Sequence, residues 1–180
     1  MTPIIAKDTY RILKATLGPW LKANGFKSGK ESWPVYRKAL DGTYLTIKFR
    51  CHGNGWEKYK GSSFAVWFKH SPSTEVDDSN RHALSRLMTL PEREFIRARQ
   101  NRILASIPPP PPDYVATIVD HFQKTFREPA EYIALFLKDW KPVIEPYDAN
   151  SQIWLRYTSE EDVRACAGRG RTPSSRCSSS

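Results

Sequence analysis

The residues best equipped for chemistry are aromatics and cations that alternate within one part of the chain. Trp33, Arg37, Tyr44, Lys48, Arg50, Trp67 and Lys69 fall on matching positions of three short runs, and His52 and Trp56 follow in a glycine-rich loop. Rings interleaved with Lys and Arg suit a single-stranded nucleic acid: bases stack on the rings at ~1–3 kcal/mol each while the cations track the phosphates. Other chemistries have less to stand on. Cys51-His52, His70, His82 and His121 show neither CxxC nor HxxxH spacing, so no metal site is expected. The loop from His52 to Gly61 lacks GxxxxGK[ST] and precedes a strand rather than a helix, which sets it apart from a phosphate-binding P-loop. Cys51 and His70 both fall on the expected core side of their strands, where a thiol is inert. No catalytic residue and no cofactor is expected. The runner-up is an enzyme acting on a phosphate-containing substrate through Lys48, Arg50 and His52.

The element that must position these groups is the strand Thr43 to Cys51. Leu45, Ile47, Phe49 and Cys51 fall on one side of a two-residue period, and Tyr44, Thr46, Lys48 and Arg50 on the other. Asp41-Gly42 before it is a tight-hairpin dipeptide, so residues 33–40 form its antiparallel partner. A two-residue turn sets the pairs Ala39 with Tyr44, Arg37 with Thr46, Val35 with Lys48 and Trp33 with Arg50. A third run, Phe64, Val66, Phe68 and His70 against Ala65, Trp67 and Lys69, completes a meander with one apolar and one basic, aromatic face.

Charge follows this division. Of a net +9, residues 1–70 hold 13 Lys/Arg against 4 Asp/Glu, whereas residues 113–163 hold 5 against 10. The basic half calls for an anionic partner, a protein or a single-stranded nucleic acid. The acidic half supplies a competing reading, in which its helices cover the basic face from within.

The meander is preceded by helix spacing from Ala6 to Leu21. Thr2-Pro3 is expected to start that helix, Gly18-Pro19 to kink or break it, and Asn24-Gly25 to end it. After the meander, Ser79 is expected to cap a helix bearing Leu84, Leu87 and Met88, and Pro91 to open another bearing Phe95, Ile96, Arg99, Ile103 and Leu104. Six arginines lie between Arg81 and Arg102, and Glu92 and Glu94 make a solvated, salt-bridged face of them. Residues 108–112 are five prolines, a stiff internal spacer. Asp113 then caps a helix with Val115 and Val119, Pro129 opens one with Tyr132, Phe136 and Trp140, and Ser151 to Tyr157 alternate as a late strand. Ser159 to Asp162 resembles a capping box, but the Gly, Arg and Ser composition beyond it offers little to bury, so residues 164–180 are expected to be a disordered tail.

A helix spelled Leu13-Lys14 … Pro19-Trp20-Leu21-Lys22 … Gly25-Phe26-Lys27, followed by strands ending near Phe49-Arg50, resembles a family of small bacterial domains of unknown function. The likeness covers about the first 70 residues. It implies a leading helix laid on an antiparallel sheet with helices after it, and it implies no chemistry.

The expected fold is therefore α+β: an N-terminal helix packed on a three- to four-stranded antiparallel meander, then a helical C-terminal half, with residues 1–163 as one domain. Three cysteines with no close pair point to a reducing compartment, and no run resembles a secretory signal or a membrane span, which places the protein in the cytoplasm. The function expected is a non-catalytic binding module working through its basic, aromatic sheet face and glycine-rich loop.

Overall fold

Asp41 and Gly42 both have positive φ, 28° and 79°, in a turn whose twist matches that of two antiparallel strands. In the computed structural model, which describes residues 3–53, 55–75, 81–126 and 144–168, this turn joins β2 (Val35–Leu40) to β3 (Thr43–Cys51). Three of the four expected pairs form, Ala39 with Tyr44, Arg37 with Thr46 and Val35 with Lys48, whereas Trp33, expected opposite Arg50, precedes β2 and lies outside this ladder. β4 (Ser62–Ser71) runs antiparallel along the other side of β3 through eight pairs, from Tyr44↔Ser71 to Cys51↔Phe64.

The meander is the centre of a six-stranded sheet. β1 (Lys27–Ser28) pairs with β2 at one edge. Beyond β4, β5 (His82–Ala83) pairs at Trp67 and Phe68, and β6 (Trp154–Tyr157) pairs from Ser62 to Ala65. The late strand thus returns to the meander. β1 and β5, at two residues each, are too short for alternation to show in the sequence.

α1 (Ala6–Ala23) lies on the apolar face of the sheet and buries Ile12, Leu13 and Leu21 there, against Tyr36, Phe49 and Phe64. It starts after Ile5, which makes no side-chain cap, and it runs unbroken through Gly18-Pro19, where a kink or break was expected. Gly18 is buried, and an added Cβ would stand 3.2 Å from the Tyr36 phenol oxygen, so the glycine lets helix and sheet approach. Packing on the sheet overrides the weak local propensity of this pair.

α2 (Leu90–Ser106) opens on Thr89, whose N–H donates to the Glu92 carboxylate at 2.7 Å in a capping box. The segment before it corrects the sequence reading: β5 and a 3₁₀ turn, Leu84–Leu87, stand where a helix was expected. Leu87 is 66% exposed while Met88 packs against the core, so Leu84, Leu87 and Met88 do not form one buried helical stripe. Buried Ser85 instead reaches the Ala149 and Ser151 carbonyls at 3.1 and 2.6 Å. The arginines of α2 divide. Arg97 pairs with Glu94 at 2.6 Å, while Arg99 turns inward, donating to the Asp162 carbonyl and the Cys166 sulfur. Fully buried Gln100 accepts the Arg156 backbone N–H at 2.6 Å and so closes the outer edge of β6.

α3 (Pro112–Phe126) begins on the last proline of the run, so Asp113 sits in its first turn rather than at its cap. α4 (Glu160–Gly168) packs on α1, and Ser159 and Asp162 cap it reciprocally, each accepting the other's backbone N–H at 3.1 Å. Residues 164–168, expected in the tail, are helical, and Ala167 reaches the core. The helix expected after Pro129, the Asp77-Asp78-Ser79 segment, Asn54 and residues 169–180 lie outside the described residues.

Gly61 joins the loop to β4 with φ +65°, and an added Cβ would overlap the Tyr157 carbonyl. Gly61→Ala should therefore lower unfolding stability by more than about 1 kcal/mol, read from the urea midpoint at constant slope. A smaller loss would mean that the β4–β6 junction yields.

Candidate nucleic-acid interface

With one face of the sheet taken by α1 and the core, the register assigns the other face residue by residue. One row reads Lys27, Arg37, Thr46 and Lys69 across four strands. The next reads Val35, Lys48, Trp67 and Ala83, and the third Arg50, Ala65 and Trp154. Tyr44 lies beyond the first row, paired with Ala39 and Ser71. His52 continues the alternation, its N–H donating to the Ser63 carbonyl at 2.8 Å, opposite Arg156. Arg37, Tyr44, Lys48, Arg50, His52, Trp67 and Lys69 thus share a face as the sequence implies.

Trp33 precedes β2 and joins this face by stacking under Lys48, whose ammonium lies 5.5 Å from its ring centroid. Trp56 does not belong to it. The loop turns Trp56 to the α1 side, where its ring lies 6.2 Å from that of Tyr157 and packs against the core.

The centre of the face is closed to solvent. Val35 (1% exposed), Thr46 (5%), Ser63 (6%) and Ala65 (0%) are all buried. Access is left at the rim, where Lys27 and Arg50 are exposed and Trp33 is 38% exposed. Trp67 is half-buried, with the Arg81 guanidinium 3.9 Å from its ring centroid and its indole N–H buried without a hydrogen-bond partner. His52 is exposed and meets the Trp154 indole at 5.1 Å, near edge-on.

Arg37 is engaged through its whole guanidinium. Its Nη1 and Nη2 each donate to a separate oxygen of Glu31, a bidentate fork, and its Nε donates to the Thr74 carbonyl at 3.1 Å. Those bonds hold the Glu31 carboxyl below its usual range. Lys27, Glu31, Arg81 and Trp154 are the members of this surface that sequence reasoning missed. Lys27 lies in a strand too short to show a period, and the partners of Glu31 and Arg81 depend on how loops fold back.

The core side holds a second polar group. The Thr9 hydroxyl donates to the Tyr157 phenol oxygen at 2.9 Å, and the Cys51 backbone N–H donates to the Tyr10 phenol oxygen at 3.1 Å. Burial pushes the Cys51 thiol and the Tyr10 and Tyr157 phenols above their ordinary values, so the thiol is protonated and unreactive. Among the described residues no three His, Cys, Asp or Glu side chains gather as metal ligands, and no helix is long and apolar enough to cross a membrane.

No family model, curated protein or solved structure matches the chain.

The raised thiol and phenols fix the sign of an alkaline effect. Their protonated forms are favoured by the fold, so the stability they contribute is complete below the unfolded thiol value of 9.0 and falls as pH rises through it and then through the phenol value of 10.0. Urea unfolding between neutral pH and pH ~10 should show stability declining from the thiol range upward, and since burial also raises the Cys166 thiol, Cys51→Ala together with Cys166→Ala should remove the earliest part of that decline. A flat profile would mean that these groups titrate alike in folded and unfolded chains.

Proposed function

We propose that the protein is a cytoplasmic, non-catalytic binding module that holds single-stranded nucleic acid along the rim of its basic sheet face. The observation that carries this reading is the row Lys27, Arg37, Thr46 and Lys69 beside Lys48, Arg50 and the exposed ring of Trp33. Cations repeat along the strands at the spacing that the register sets, and Trp33 offers a stacking surface next to them. Because the middle of the face is buried, the contact is a strip along its rim, through Lys27, Trp33 and Arg50, rather than a platform across the sheet. The net +9 of residues 1–70 adds long-range attraction for a polyanion.

An acidic protein surface is the other occupant that this strip could take, and the experiment separates the two.

Titration of the protein with short single-stranded RNA and DNA, followed by tryptophan fluorescence at low and high salt, should show quenching and a steep loss of affinity with salt. Trp33→Ala should weaken binding about tenfold, the equivalent of one stacked base, without loss of folding. Lys48→Glu with Arg50→Glu should abolish it. No binding by the wild-type chain at low salt would remove nucleic acid and leave an acidic protein as the partner to seek.

A further inference from the structure

We infer that Glu31 is a built-in competitor of the phosphate that Arg37 would hold, so that the carboxylate occupies the guanidinium fork until a nucleic acid strand displaces it. The inference rests on the binding reading above and assigns it a regulatory contact. A guanidinium presents two parallel N–H groups that fit a carboxylate and a phosphate equally, and in Arg37 both are taken by the two oxygens of Glu31. The pair is not deep: the side chains are 19% and 23% exposed, and Glu31 lies on the bend between β1 and β2, where it can swing away without disturbing a strand. Arg37 itself is held by β2 and by its Nε bond to the Thr74 carbonyl, so release of Glu31 leaves the fork in place.

The fold makes room for this contact. An added Cβ on Gly29 would overlap the Glu31 carboxylate and press on the Arg37 guanidinium, so the bare glycine backbone is what lets the acid fold back onto the fork. Lys27 stands beside Arg37 in the register, so a phosphate seated on Arg37 would meet a second cation that Glu31 does not engage. Glu31 is also one of only four acids among residues 1–70, with Asp8, Asp41 and Glu57, and the one that sits on the basic row.

The test compares Glu31→Gln with Asp41→Asn, which removes the same charge from the exposed hairpin turn. Binding of a fluorescein-labelled oligouridine is followed by anisotropy over a range of salt. Glu31→Gln should bind several-fold more tightly than Asp41→Asn, because the strand no longer has to displace a carboxylate from the Arg37 fork. Gly29→Ala, which displaces the carboxylate without altering charge, should reproduce the gain, and circular dichroism reports whether each variant is folded. Equal affinities for Glu31→Gln and Asp41→Asn, both near wild type, would overturn the inference and leave the binding reading standing. No binding by wild type, Glu31→Gln or Gly29→Ala at the lowest salt would overturn both.

Discussion

The ladder between β3 and β4 is the constraint on which the rest of the molecule depends. Eight consecutive pairs place Phe49, Cys51, Phe64 and Val66 on one face and Lys48, Arg50, Trp67 and Lys69 on the other. A slip of one residue would turn every cation toward α1 and every core side chain toward the opposite face, which no adjustment of rotamers could repair. Burial of the apolar face, at about 1.5–3 kcal/mol for a side chain such as Phe64, therefore decides where the charges stand. The basic face inherits its geometry from the core.

β4 also organises the C-terminal segments. Its outer edge is shared between β5 at one end and β6 at the other, and β6 brings Leu155 and Tyr157 to the core beside α1. Polar groups carried into that core are matched to each other: Thr9 with Tyr157, and the Cys51 backbone with Tyr10. Gln100 closes the edge of β6 with a side-chain carbonyl, so the last strand offers no open ladder on that side of Arg156. Hydrogen bonds from a hydroxyl and an amide side chain thus tie the C-terminal strand to the N-terminal helix and to α2.

The opposite face is also closed at its centre. Thr46, Ser63 and Ala65 are buried along the middle, Arg81 covers Trp67, and Lys48 lies against Trp33. Lys48 and Arg81 each face a ring, so their charge and their packing are spent together. Solvent reaches this face at its rim, at Lys27, Trp33, Arg50 and His52.

The hairpin, its register, the apolar and basic faces and the existence of the late strand were legible in the sequence. Each rests on local information: two residues that accept positive φ, and an alternation long enough to show. Tertiary structure alone decided the short strands β1 and β5, the 3₁₀ turn in place of a helix at Leu84–Leu87, the continuity of α1 through Gly18-Pro19 and the inward turn of Trp56. It also decided that the middle of the basic face is buried and that Arg37 is held by Glu31. These depend on which distant segments meet, and such meetings arise from the packing of whole faces, which no window of neighbouring residues contains. Periodicity records which way a side chain points; only the folded chain determines what it finds there.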